Sequence, residues 1–286
     1  MFSLVKILFL VVMIENIRDY FATIPSLHRS IILVGGIGFF WMLEYVIPLF
    51  QHRYHKVKHA GFNLFFTLTT IIVNFSLAFV LLKASDWAVQ NQFGIINWLP
   101  EMPLWVYGLV GLLLLDLIGA YFVHWLEHQV KWMWMFHLIH HSDLHVDTTT
   151  ANRHHPGESV FRLVFTVVAV VLTGAPMWLV FLYQSLSVVL SQFNHANIRL
   201  SEKLDKVLSY IIVTPDMHHT HHHYVLPYTD SNYGNIFSLW DRLFGTFSYL
   251  ERGELVYGVD TCMDPEENQH IGAMLKIPFG SYRRSS

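Results

Sequence analysis

PLWVYGLVGLLLLDLIGAYFVHWLEH (103–128) runs from an apolar stretch straight into two histidines, His124 and His128. About 20 mostly apolar residues cross the hydrocarbon of a bilayer, and Pro103 to Val123 meets that length. Positions i and i+4 share one helical face, so the two imidazoles sit together on the end of a rigid mount. A lone histidine at such an end is more often a boundary residue than a ligand. Here HLIHH (137–141) follows, with His137, His140 and His141 again on one face and flanked by Leu, Ile and Phe. A solvated face would carry Lys and Glu instead. The intervening KWMWMF (131–136) reads as a turn buried at the membrane boundary, with Trp132 and Trp134 as anchors.

Composition agrees with a lipid setting. The 286 residues are 53% hydrophobic, 15% aromatic and only 14% charged, with mean hydropathy +0.38. Soluble domains carry about 25% charged residues. The net charge is −3 and no long basic run occurs, so nucleic acid is not an expected partner. One cysteine, Cys262, excludes disulfides within the chain and thiolate metal sites. Any metal must be held by nitrogen and oxygen.

Two more segments have the length and polarity of spans, 30–50 (SIILVGGIGFFWMLEYVIPLF) and 61–82 (GFNLFFTLTTIIVNFSLAFVLL). Segment 159–193 exceeds one span and is interrupted at Thr173-Gly174-Ala175-Pro176. Proline inside a helix removes a hydrogen bond and clashes with the preceding turn, so a tight helical hairpin or broken re-entrant element is expected. The N-terminal FSLVKILFLVVMI (2–14) lacks a small-residue cleavage site after it and reads as a short membrane helix or interfacial anchor. Loop 52–59 is basic (Arg53, Lys56, Lys58), whereas 83–102 holds Lys83 against Asp86 and Glu101. The positive-inside rule puts the first in the cytoplasm and the second across the membrane. Segment 103–123 then returns the chain to the cytoplasmic side, and a hairpin leaves 194–286 there too. The expectation is an all-α integral membrane helical bundle with a cytoplasmic-side helical metal site. Its parts are N-terminal membrane helices (1–102), a catalytic region (103–250) and a polar tail (251–286) over the cytoplasmic surface, all in one integral domain.

Fourteen of the nineteen histidines fall in 124–155, at 195 and in HHTHHH (218–223). Neutral imidazole suits Zn, Cu, Fe or Ni, and eight or more converging rings exceed the needs of one tetrahedral zinc. Two metal ions are implied. Within 218–223 both His218/His221/His222 and His219/His222/His223 satisfy H-x-x-H-H. Metal-bound imidazoles usually donate their other N–H to a carboxylate or carbonyl; Glu127, Asp143, Asp147, Asp216 and Asp241 are candidates, with Asn194 and Asn197 as neutral ones. Asp116 and Glu44, inside apolar segments, either orient ligands or pair with another helix. His28, His52, His55, His59 and His270 read as structural.

The order HWLEH, HLIHH, a later lone histidine, TPDMHHTHHH (214–223), NYG (232–234) and WDRLFGTF (240–247) resembles the fatty acid hydroxylase/sterol desaturase superfamily. HHSDLHVDTTTANRHHPGE (140–158) and FNHANIR (193–199) are similar to the stretches between its boxes. The resemblance covers about residues 105–250 and implies a membrane non-haem di-iron oxygenase. Thr214-Pro215 then sets the third box as His218, His221 and His222. His195 becomes a further ligand and His155 a lesser candidate, while His145, His154, His219 and His223 stand near the site without a ligand role. The resemblance also implies two iron ions (zinc substituting in a purified preparation), dioxygen as co-substrate, a membrane lipid substrate and a separate electron donor such as a ferredoxin or cytochrome. GGIG (35–38) sits in an apolar segment with no strand before it, so no nicotinamide site is encoded. Two rival readings are a zinc-dependent membrane hydrolase, in which Glu127 of HWLEH acts as the base, and a metal transporter or chaperone. The first misplaces the glutamate relative to H-E-x-x-H; the second expects polar ligands near the midplane of several spans.

Overall fold

The computed structural model describes residues 4–51 and 54–286. Phe2 and Ser3 of the N-terminal run, and His52 and Arg53 of the basic loop, lie outside these. Among the described residues no β-strand forms; helices and short turns make up the architecture. In chain order these are α1 (Leu4–Ala22), α2 (Ser26–Val46), α3 (Lys56–Gln90), α4 (Ile95–Trp98) and α5 (Leu104–Asp116). A π-turn, Leu117–Tyr121, joins α5 to α6 (Phe122–Gln129), and α7 (Lys131–His141) follows. Then come a 3₁₀ turn (Thr148–Asn152), α8 (Pro156–Thr173), α9 (Met177–His195), α10 (Glu202–Leu208), α11 (Pro215–His221) and α12 (Leu239–Leu243).

Among the described residues, four helices are long and apolar enough to cross a membrane: Ser26–Val46, the rod Lys56–Trp98, the rod Leu104–Gln129 and Pro156–Thr173. Their outward residues are apolar, with Phe75 84% exposed on α3 and Val34 67% on α2. Such surface is costly in water and at no disadvantage in lipid.

The long apolar segment 159–193 is the helical hairpin α8–α9. Gly174 adopts φ +79° at the C-terminus of α8, and its N–H and that of Ala175 close the last turn on Val170 O. Pro176 then opens α9 without needing a donor. The hairpin tip meets the loop after α3: Gly94, at φ +108°, sits against Gly174, and Asn97 Nδ2 donates to Gly174 O. The 91–98 connection therefore lies at one end of the bundle and the histidines at the other.

Two expectations are corrected. The helix expected at 61–82 extends over Lys56–Gln90, which takes the first two-fifths of the 83–102 loop. No proline or glycine interrupts 83–90, so the helix continues beyond the apolar run. Residues 131–136 are not a turn but the start of α7; the turn is Val130 alone, at φ −97° and ψ 114°. Trp132 is 55% exposed, whereas Trp134 is buried against His128 and His141.

The core has a membrane half and a histidine-side half. In the first, Leu115, Val170, Leu179 and Tyr183 pack between α5, α8 and α9. In the second, Trp134, Leu138 and Ile139 of α7 meet Phe66 and, from residues 259–277, Val259, Cys262, Met274 and Ile277. The polar tail thus contributes apolar core.

Candidate metal centre

Nine histidines converge in two adjoining clusters. His124, His128, His137, His141 and His221 form the first, and His140, His195, His218 and His222 the second; within each, the ring nitrogens lie within 4.8 Å of one another. Helical geometry explains the division. Residues i and i+4 are about 40° apart around the axis while i and i+3 diverge the other way. So 124/128 and 137/141 share the first cluster, 218/222 share the second, and His140 turns from its neighbour His141 to the other side. The Val130 break folds the histidine face of α7 back on that of α6, bringing the His128 and His137 rings to 5.2 Å. In α11 the N-cap Thr214 accepts from Met217 N–H, and Pro215 occupies N1, so the helix starts where its histidines require.

Five outward nitrogens are held. His124 Nδ1 donates to Tyr233 O (3.0 Å), His221 Nδ1 to Ser231 O (2.6 Å) and His195 Nδ1 to Ser191 O (2.7 Å). His137 Nδ1 bonds Glu158 at 2.8 Å and His128 Nδ1 bonds Asp230 at 3.2 Å. The inward nitrogens are not. Buried without a hydrogen-bond partner are Nε2 of His124, His128, His137 and His221 and both nitrogens of His141 in the first cluster. In the second, both nitrogens of His222 are likewise orphaned, and so are Nδ1 of His140 and His218, the nitrogens opposite the Nε2 atoms that approach His195. Each unsatisfied buried polar group costs about 1–3 kcal/mol, so this set would consume a whole domain's stability of about 5–15 kcal/mol. Nitrogens of this kind fit a cation. In the second cluster, His195 Nε2 lies 2.9 Å from His218 Nε2 and 3.2 Å from His140 Nε2. That is the spacing of donors about 2.1 Å from one shared ion. Burial pushes the His137 imidazole down to about 3 against the pull of Glu158. Burial also holds His140, His141, His218, His221 and His222 well below the ordinary imidazole value. All are neutral and able to ligate at neutral pH.

His155 is not brought to either cluster. It caps α8, its Nδ1 accepting from Gly157 N–H at 2.9 Å, and its ring faces Phe136 at 4.9 Å. His154 stacks on His140 at 4.8 Å and pairs with Glu158 at 2.8 Å, a small third group with His137. His219 bonds Tyr257 OH and His195 O; His223 Nδ1 accepts from Val256 N–H; His145 stacks on Tyr54.

Of the carboxylates expected around the ligands, Glu127 approaches His137 at 3.7 Å but is engaged by Arg162 through both oxygens. Asp216 pairs with Arg252, and Asp241 accepts from Tyr233 and Gly234 N–H. Asp143 and Asp147 hold His59 instead, at 2.8 and 3.2 Å. Burial opposes ionisation of Asp143, yet His59 and Arg153 keep its carboxyl well below the usual range. Glu44 joins Lys56 and accepts from Thr148 and Asn197 N–H, and Asp116 bonds the 236–240 segment; neither touches a clustered histidine. Asp230 and Glu158 are the partners that sequence reasoning missed. Glu158 had a signal, lying four residues after His154 at a helix start. Asp230 had none, because it comes from an irregular loop.

Residues 108–246 match the family model described as fatty acid hydroxylase. The chain is 24% identical over 242 residues to the ornithine lipid hydroxylase OlsE of Rhizobium tropici, covering 80% of this chain and 70% of that protein. It is 32% identical over 143 residues to alkylglycerol monooxygenase of Danio rerio, half of this chain but only 30% of that protein. A cholesterol 25-hydroxylase-like protein of Danio rerio is 29% identical over 140 residues, 48% of this chain and 54% of that protein. No solved structure matches.

Proposed function

We propose that this chain is a membrane-bound lipid hydroxylase, with two iron ions held by His124, His128, His137, His141 and His221 on one side and His140, His195, His218 and His222 on the other. The observation that carries this is the convergence of one nitrogen from each of nine rings in two groups, most of those in the first buried without a hydrogen-bond partner, on an all-nitrogen donor set. Bound there, reduced iron supplies the activation of dioxygen needed to replace an unactivated C–H by C–OH. The protein's own contribution is orientation: Asp230, Glu158 and the carbonyls of Tyr233, Ser231 and Ser191 fix which nitrogen points inward in five of the rings, those of His128, His137, His124, His221 and His195. Burial under α7, α11 and residues 259–277 keeps bulk water from the centre. No side chain acts as a nucleophile, and the electrons come from a separate protein donor. The names of the relatives, hydroxylase and monooxygenase, favour hydroxylation over desaturation.

We assign the histidine layer to the cytoplasmic side. This is supported by His59, the last residue of the basic stretch 52–59 and in the first turn of α3, which reaches Asp143 and Asp147 beside the histidines. The zinc hydrolase reading loses its base, since Glu127 is bound by Arg162 on both oxygens.

Protein from iron-supplied cells is expected to carry about two metals per chain, as two separate donor sets require. With a reductant it consumes oxygen and returns membrane lipids that have gained one oxygen atom, read by mass spectrometry of extracts. A single chelation-resistant zinc, without iron-dependent oxygen use, overturns the proposal. His140→Ala should lose metal and turnover, while His28→Ala, remote from both clusters, should keep them.

A further inference from the structure

Asp116 sits halfway along the rod Leu104–Gln129, which is long and apolar enough to span a bilayer. It lies eight residues before His124, about 12 Å along the helix axis. Its carboxylate accepts from Ile236 N–H (3.3 Å), Phe237 N–H (3.1 Å) and Trp240 Nε1–H (3.0 Å). A segment that follows the third histidine box in sequence is thereby pinned well above the histidine layer, at a depth belonging to the spanning helices. Irregular backbone at such depth is tolerated only where protein satisfies its polar groups, and Asp116 does so.

The edge next to this tie is apolar and uncovered. Ile211 is 65% exposed, Leu243 64% and Phe244 55%, with Val207, Tyr210 and Leu239 beside them. It is continuous with the spanning rod, because Phe244 stacks on Tyr121 with ring centroids 5.3 Å apart. It is also a single surface: Ile212 bridges to Phe237, and Ser238 N–H donates to Ile211 O. Arg242, beside it, is folded back over Tyr210 (4.7 Å) and Phe247 (4.0 Å), with Nη2 donating to Ser209 O. Lys203 and Lys206 stand on the exposed side of α10. Aromatic rings beside an apolar edge, with cations drawn back along them, are the pattern of a membrane boundary.

We propose that residues 207–211 and 239–244 form a wedge inserted into the bilayer beside α5, its apolar side chains among the acyl chains and Lys203 and Lys206 at the headgroups. The wedge rests on the membrane reading of α3 and α5. It makes the histidine domain monotopic in its own right: embedded from one face by this edge, as well as hung from the spanning helices.

Nitroxide labels in liposome-reconstituted protein test this. In a Cys262→Ser background, Ile211→Cys and Leu243→Cys are compared with Phe75→Cys on the outer face of α3 and Glu266→Cys in the polar tail. The measurement is relaxation by oxygen, which concentrates in lipid, against relaxation by a water-soluble nickel chelate. Labels at 211 and 243 should resemble the one at 75, with high oxygen and low nickel accessibility, and contrast with the one at 266. If 211 and 243 resemble 266 while 75 stays in lipid, the wedge is wrong and the spanning reading stands. If they are shielded from both reagents, a protein surface covers the edge and the wedge is again wrong. If 75 itself is open to nickel, the membrane reading fails and the wedge with it. Retention of metal in each labelled protein reports that it is folded.

Discussion

At the scale of single residues, the ligands and their supports were unequally legible. The five histidines of the first two boxes announced themselves by helical spacing, whereas the register of the third box and the part given to His195 came from the family resemblance. Their partners did not announce themselves: Asp230 reaches His128 across more than a hundred positions, and Tyr233 and Ser231 contribute carbonyls, which carry no sequence signal. Asp230→Asn keeps shape but weakens the hold on His128. It should lower metal affinity by about 10–100-fold, the usual cost of losing such a partner, measured by competition with a chelator. His59 read as structural from sequence, yet it is clamped between Asp143 and Asp147, a polar knot on which the loop from α7 to α8 is built. Asp205 offers a test of pH dependence. Burial, with Asp216 nearby, pushes its carboxyl from an ordinary 3.8 up to about 6, and one of its oxygens is buried without a partner. A carboxyl raised in the folded state favours folding below its unfolded value, and that advantage is lost as pH rises through the folded one. Asp205→Asn should therefore raise the thermal midpoint over the parent at about pH 8 and leave it nearly unchanged at about pH 4. A gain of equal size at both would remove burial of the charge as its cause.

At the scale of elements, apolar runs located the helices but not their ends. Alpha-3 passes well beyond its hydrophobic stretch because nothing between 83 and 90 breaks it, and helix termini are set by caps rather than by polarity. Breaks marked by glycine and proline were the readable ones, the hairpin at Gly174-Ala175-Pro176 above all. There two backbones meet: a Cβ on Gly174 would lie 2.5 Å from Phe93 O and 2.4 Å from Asn97 Nδ2, at φ +79°. Gly174→Ala should cost about 2–4 kcal/mol, from strain and from opening this contact. A denaturation midpoint within error of the parent would show that the hairpin tip and the 91–98 loop do not depend on each other. The π-turn Leu117–Tyr121 had no signal at all. It inserts one residue between Asp116 and His124, as such bulges do near functional sites.

At the scale of the whole molecule, topology was more legible than packing. Counting spans and basic loops placed all three histidine boxes at one end, and the clusters meet there. The tail after residue 250 read as a polar cover because its apolar residues are sparse and aperiodic. Met274 and Ile277 nevertheless insert beneath α7, beside Trp134 and Leu138, and Trp134 Nε1 donates to Arg283 O. Met274→Ala should cost about 2–5 kcal/mol, as truncation of a packed core methionine does, and should loosen metal retention with it. An effect under about 0.5 kcal/mol, typical of surface positions, would mean that the tail only drapes. The division of the histidines has a consequence in time. The first cluster has four of its five histidines on α6 and α7, whereas the second holds only His140 and His195 until His218 and His222 have been synthesised. The second cluster is therefore the later one to be completed, and an ion bound there would join α7 and α9 to α11 after the candidate spanning helices have been made.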